Sequence, residues 1–158
     1  MKKTITTYLI MVLIVFQFIS AIPAGWAMIT DPSGKNLGIP LDILEHSPFP
    51  DFLIPGLFLL IFLGMFPVFI LYGLITKKEL KWTQPINLYK NQHWSLTFAY
   101  YLGLLLVLWI NMQLLFIQEY FILQVVFSLL GIVIVFLTHL PKKKQDYLIE
   151  GRKQDDSN

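Results

Sequence analysis

Four long apolar runs set the terms for this chain: Tyr8 to Ile29, Phe52 to Ile75, Ser95 to Ile117 and Phe121 to Leu140. A helix rises about 1.5 Å per residue and the hydrocarbon layer of a membrane is roughly 30 Å thick, so about 20 apolar residues cross it. Within that layer every backbone N–H and C=O must find a partner, and a helix supplies those partners locally. The expected fold is therefore all-α, a polytopic membrane protein with four transmembrane helices. The expected domain covers residues 1–141, and residues 142–158 read as a basic, disordered tail.

The lysines and arginines orient this bundle. Lys2 and Lys3 precede the first run, Lys77, Lys78, Lys81 and Lys90 separate the second from the third, and Lys142, Lys143, Lys144, Arg152 and Lys153 follow the fourth. Only Lys35 falls on the other side. By the positive-inside bias the basic segments are expected in the cytoplasm, with both termini inside and two outer loops, Thr30 to Asp51 and Gln118 to Tyr120. The net charge of +2 is thus an orientation signal and implies no nucleic-acid partner. Lys142, Lys143 and Lys144 read as a stop-transfer anchor favouring anionic lipid. A cleaved signal peptide is the competing reading of the N-terminus. The run from Tyr8 exceeds the usual apolar core of such peptides, and only Gly25-Trp26-Ala27 resembles a cleavage site, so a retained first span is expected.

What is missing narrows the chemistry. The chain has no cysteine, which excludes disulfide exchange, thiol nucleophiles and thiolate metal sites. The spans take up most of the 158 residues and leave no room among them for a soluble catalytic domain. No Asp, Glu, Lys, Arg or His lies near the centre of a run, which argues against proton relays, coupled transport and voltage sensing.

The first outer loop carries turn chemistry. Asp31-Pro32-Ser33-Gly34 closes the first span, because Pro presets one backbone angle, Gly tolerates positive φ and Asp can bond back to the chain. Ile39, Ile43 and Leu44 fall at helical spacing behind Pro40, which predicts a short interfacial helix over 40–46. Ser47-Pro48-Phe49-Pro50 cannot continue that helix, and Asp51 is placed to cap the second span. The link Gln118-Glu119-Tyr120 is short enough to fold the third and fourth spans back on each other. The small residues Ala21 and Gly25, and Gly56 and Gly64, admit close backbone approach between the first two. Two antiparallel hairpins are the expected arrangement, with kinks at Pro23 and Pro67 whose freed carbonyls need new partners.

The polar side chains within the spans are amides. Gln17 lies near mid-depth, while Asn111, Gln113 and Gln124 fall in the outer half beneath Ser47 and Asp51. They read either as interhelical hydrogen bonds worth about 0.6 kcal/mol each or as the lining of a polar pocket opening outward. In the second case Asn111, Gln113, Gln124, Ser47 and Asp51 are the ligand-binding candidates. No cofactor or metal is expected. Were a metal bound, Asp42 and His46, spaced i,i+4, would be the ligands, yet turn, cap and solvated-face roles also account for them.

Asp31-Pro32-Ser33-Gly34, Leu37-Gly38-Ile39-Pro40, the stretch Ser47-Pro48-Phe49-Pro50-Asp51-Phe52-Leu53-Ile54-Pro55-Gly56-Leu57 and, further on, Trp109-Ile110-Asn111-Met112-Gln113 carry a resemblance. In these segments, and across roughly Gly25 to Gly131, the chain resembles a family of small, uncharacterised four-helix bacterial integral membrane proteins. The resemblance implies a bacterial cytoplasmic membrane and directs attention to the first outer loop and Gln113. The leading functional expectation is a non-enzymatic membrane protein: an accessory or assembly subunit, or a binder of lipid or a hydrophobic small molecule through the outer loop and bundle cleft. Its expected partners are the bilayer and either another membrane protein or further copies of itself. A small oligomeric transporter or pore is the alternative. A membrane enzyme comes third, because no pairing of a nucleophile with a base is visible.

Overall fold

The computed structural model describes residues 5–90, 92–117 and 120–140. Lys2, Lys3, the link residues Gln118 and Glu119, and the tail 142–158, all used in the sequence reading, lie outside the described residues. Four helices long and apolar enough to cross a membrane make up the fold: Ile5–Thr30, Leu53–Thr76, Trp94–Ile117 and Ile122–His139. Among the described residues there is no strand.

The first span packs along the second and the third along the fourth, while the latter part of the second meets the third. Glycine decides how closely these pairs approach. A Cβ placed on Gly25 would sit 2.8 Å from the backbone nitrogen of Leu60, and one on Gly56 would meet the Met28 Cβ at 2.6 Å. On the other side Gly103 and Gly131 face each other, each Cβ position lying 2.8 Å from the other's carbonyl oxygen. In lipid, where apolar burial gives helices little reason to associate, such backbone contact is what dispersion and weak polar contacts need. Ile10, Ile14, Leu63, Ile70, Leu102, Leu106 and Ile134 fill the space between the helices.

The second span is not one regular helix. Leu53–Phe58 is α-helical, Leu59–Met65 is a π-helix, and Phe66–Thr76 is α-helical again with Pro67 in its first turn. The Phe66 N–H reaches back five residues to the Ile61 carbonyl. Pro67 has no N–H to offer, and wide π turns commonly occur where the regular ladder is interrupted in this way. The span ends at Lys77, whose φ of 54° is left-handed and whose N–H closes onto the Gly73 carbonyl at 2.9 Å.

Local chemistry shapes the first loop. Asp31 accepts from the Ser33 N–H and hydroxyl through Oδ1 and from the Asn36 N–H through Oδ2. The Ser33 hydroxyl foremost, and then the Asn36 amide, hold its carboxyl below the ordinary aspartate value. Gly34 turns at φ +76° directly beneath the Phe52 ring, where a Cβ would lie 2.3 Å from the Ile39 oxygen. The Phe52 N–H bonds the Pro32 carbonyl at 3.0 Å and ties the loop to the second span. Within 40–46 the loop carries a short 3-10 helix, Leu41–Leu44, which Pro40 precedes in extended conformation (ψ 150°), and a first 3-10 helix, Lys35–Leu37, lies ahead of it. Asp51 caps the second span by accepting from the Leu53 N–H at 2.9 Å.

Candidate functional site

The loop, the ends of the first two spans and the neighbouring ends of the third and fourth enclose a cavity of about 440 Å³. Its wall is overwhelmingly apolar. Ile39, Ile43, Leu44 and Phe49 close it from the loop, Phe52, Pro55 and Leu59 from the second span, and Met112, Phe116 and Ile117 from the third. Phe49 meets Phe116 edge to face at 6.2 Å, which docks the loop on the third span. Phe58 stacks on Trp109 at 4.1 Å and stiffens the deep side.

Among the described residues, four polar side chains enter this wall: Ser47, Trp109, Gln113 and Gln124. Ser47 spends its hydroxyl on its own turn, accepting from the Phe49 N–H at 3.2 Å. Gln124 is the third residue of the fourth span, and its Oε1 accepts from the Phe121 N–H at 3.0 Å, a capping contact that anchors the amide. Gln113 is half-buried, one helical turn beyond Trp109 on the same face.

The five residues singled out from the sequence therefore separate. Ser47, Gln113 and Gln124 come together around the cavity. Asn111 does not: it is exposed on the flank of the third span, and its Nδ2 bonds the Val107 carbonyl of its own helix at 2.7 Å. That local bond gives one amide N–H a partner within its own helix. Asp51 also stands apart from the cavity wall as a helix cap. Asp42 and His46 are exposed and line a second, more open and more polar pocket of about 570 Å³ that also includes Glu45. Among the described residues no group of three or more His, Asp or Glu side chains is placed to hold a metal ion.

Trp109 is the cavity residue that the amide pattern missed. An indole N–H in an apolar span needs a partner, and that is the signal by which the sequence could have drawn attention to it.

A second polar cluster at the opposite end of the bundle also escaped the sequence reading. Asn87 donates to the Gln92 carbonyl and accepts from the Thr97 hydroxyl, and Gln92 in turn donates to Thr97. His93 lies beside them, its Nδ1 2.7 Å from the Ser95 hydroxyl and accepting from the Ser95 N–H at 3.3 Å, while Nε2 faces Glu79 at 3.6 Å. Accepting that N–H leaves Nδ1 without a proton and puts the proton of the neutral ring on Nε2. Serine, histidine and glutamate in a row resemble a nucleophile with its base. Ser95 is fully buried, and His93 Nδ1 caps the third span by accepting from the Ser95 N–H. Burial, foremost, pushes the His93 imidazole below its usual 6.5, against the pull of Glu79.

No protein-family model matches the chain, and comparison with curated proteins and with solved structures finds no match. Function is therefore read from the cavity.

Proposed function

We propose that the protein is a non-enzymatic membrane protein that binds a lipid or a hydrophobic small molecule in the cavity beneath its first loop. The observation that carries this reading is the cavity itself. At about 440 Å³ it falls within the roughly 300–1,000 Å³ range of ligand sites, with the apolar wall and sparse polar groups such sites share. The loop contributes a large part of that wall through its own tied turns, so the site depends on the element that most distinguishes the sequence.

In this reading the four spans form two antiparallel hairpins. The first loop lies at the outer face of a bacterial cytoplasmic membrane with its Leu41–Leu44 turn in the interface, and both termini are cytoplasmic. The lysine distribution supports the orientation. A site at that depth opens toward molecules dissolved in the outer leaflet.

The test is purification in a mild maltoside detergent followed by native mass spectrometry of the intact protein. The parent is expected to retain an apolar molecule at about one per chain. Ile43→Phe, which fills the cavity from the loop side, is expected to release it while the chain still purifies folded and monodisperse. A parent that is empty, or an Ile43→Phe variant carrying the same molecule, overturns the proposal. A protein that co-purifies stoichiometrically with an otherwise empty chain points to the accessory-subunit role instead.

A further inference from the structure

The cavity wall holds more hydrogen-bond donors than it can use. Trp109 is 8% exposed and Gln124 5%, and both line the cavity. Trp109 Nε1 and Gln124 Nε2 are buried with no hydrogen-bond partner among the described residues. Their chemistry is not ambiguous. An indole nitrogen can only donate. The Gln124 amide cannot be turned over, because its oxygen already accepts from the Phe121 N–H at 3.0 Å and a flip would set two donors against each other. Two donor nitrogens are thus left without a partner among the described residues, in an apolar wall where an unmade hydrogen bond is costly. Gln113, on the Trp109 face of the third span, lines the same wall with a further amide.

The wall also says what the missing partner is not. Among the described residues that line the cavity there is no Lys, Arg or His. An ionised phosphate or carboxylate seated there would be buried without a countercharge, which is far more costly than burying a neutral oxygen. A plain hydrocarbon would fill the volume and leave both donors unpaired.

We infer that the cavity recognises a neutral apolar molecule through a carbonyl oxygen, which accepts hydrogen bonds from Trp109 Nε1 and Gln124 Nε2. The inference rests on the proposed hydrophobic-ligand role and specifies its chemistry. Two membrane-soluble sources carry such an oxygen: the ring ketone of a quinone and the ester of a glycerolipid. Met112, a flexible side chain in the same wall, can yield to admit the oxygen.

The experiment uses the full chain, delipidated in maltoside, and three probes of comparable size: a decyl-substituted benzoquinone, dioctanoylglycerol and decylbenzene, which has no carbonyl. Binding is read by calorimetry, and the indole N–H resonances are followed by NMR, with Trp109→Phe identifying its own signal. At least one carbonyl probe is expected to bind about tenfold more tightly than decylbenzene and to move the Trp109 resonance, which decylbenzene leaves in place. Trp109→Phe, which keeps the ring stack on Phe58 but has no N–H, is expected to reduce that preference roughly fivefold, the size of one ordinary hydrogen bond. The carbonyl probe that shows the preference identifies the source. Equal binding of all three probes, or a Trp109 resonance unmoved by every probe, overturns the inference while the hydrophobic-ligand role stands. Failure of all three to bind, decylbenzene included, overturns both. Because the three-probe affinity comparison is made on the parent, it decides the inference even where Trp109→Phe does not fold.

Discussion

Gln17 reaches across from the first span and donates its Nε2 to the carbonyl of Leu63 at 3.2 Å, 46 residues away. Leu63 is four residues before Pro67, so in a regular α-helical ladder its carbonyl is the one left without a partner by the N–H that proline lacks. The glutamine side chain thus supplies the donor that proline withholds, inside the π-helical segment where the second span departs from the regular ladder. A single amide both closes a backbone vacancy in lipid and joins two spans.

Gln17→Leu is expected to lower stability by about 0.6 to 2 kcal/mol, since it strands a buried carbonyl. In a Pro67→Ala background, where the new alanine can donate its own N–H, the same substitution should cost distinctly less. A double-mutant cycle of detergent melting measures the difference. Equal costs in the two backgrounds would show that the glutamine does not serve the proline's orphan.

Gly103 and Gly131 predict the behaviour of the other helix pair. Gly103→Ala and Gly131→Ala each place a methyl 2.8 Å from a backbone oxygen that cannot move alone. Each is expected to destabilise by about 1–3 kcal/mol, although Ala is the better helix former. Ile61→Phe, at a position about half exposed on the outside of the second span, is the comparison and should be close to neutral. The idea fails if thermal melting ranks the three alike.

His93 gives a pH dependence with a definite sign. Its folded pKa lies below 6.5 because burial disfavours the imidazolium, while Glu79 raises it and Lys77 lowers it further. As pH falls below 6.5 the unfolded chain takes up a proton that the folded chain refuses. Stability is then full above that pH, declines as pH falls toward the lowered folded value, and levels off below it. His93→Asn keeps a good helix-capping acceptor without a titrating group. The parent should lose more melting temperature than His93→Asn between about pH 7.5 and pH 5. Parallel losses would remove His93 as the cause.

Orientation is open to a direct check, because the chain contains no cysteine to give background. Lys35→Cys in the first loop and Leu88→Cys between the second and third spans both place the thiol at exposed positions. With an impermeant maleimide on intact cells, position 35 should label and position 88 should not. Labelling confined to position 88 would invert the proposed topology and move the cavity to the inner leaflet.

The positions of the four helices were legible in the sequence because bilayer thickness and backbone pairing are one-dimensional constraints, met by length and apolarity alone. Local chemistry was legible too. Asp31 folds onto Ser33 and Asn36, and Asp51 caps Leu53, because each partner is within a few residues. Rotation about each helix axis was a different matter. A span apolar on every side offers little contrast between faces, so depth placed Asn111 and Gln113 together although two residues on a helix point about 200° apart. Only the packed structure decided that Asn111 turns back to Val107, that Gln17 finds Leu63, and that Trp109 joins Gln113 and Gln124 around one cavity. Those outcomes depend on which faces meet, and glycine contacts between residues far apart in the chain, Gly25 with Gly56 and Gly103 with Gly131, set that choice.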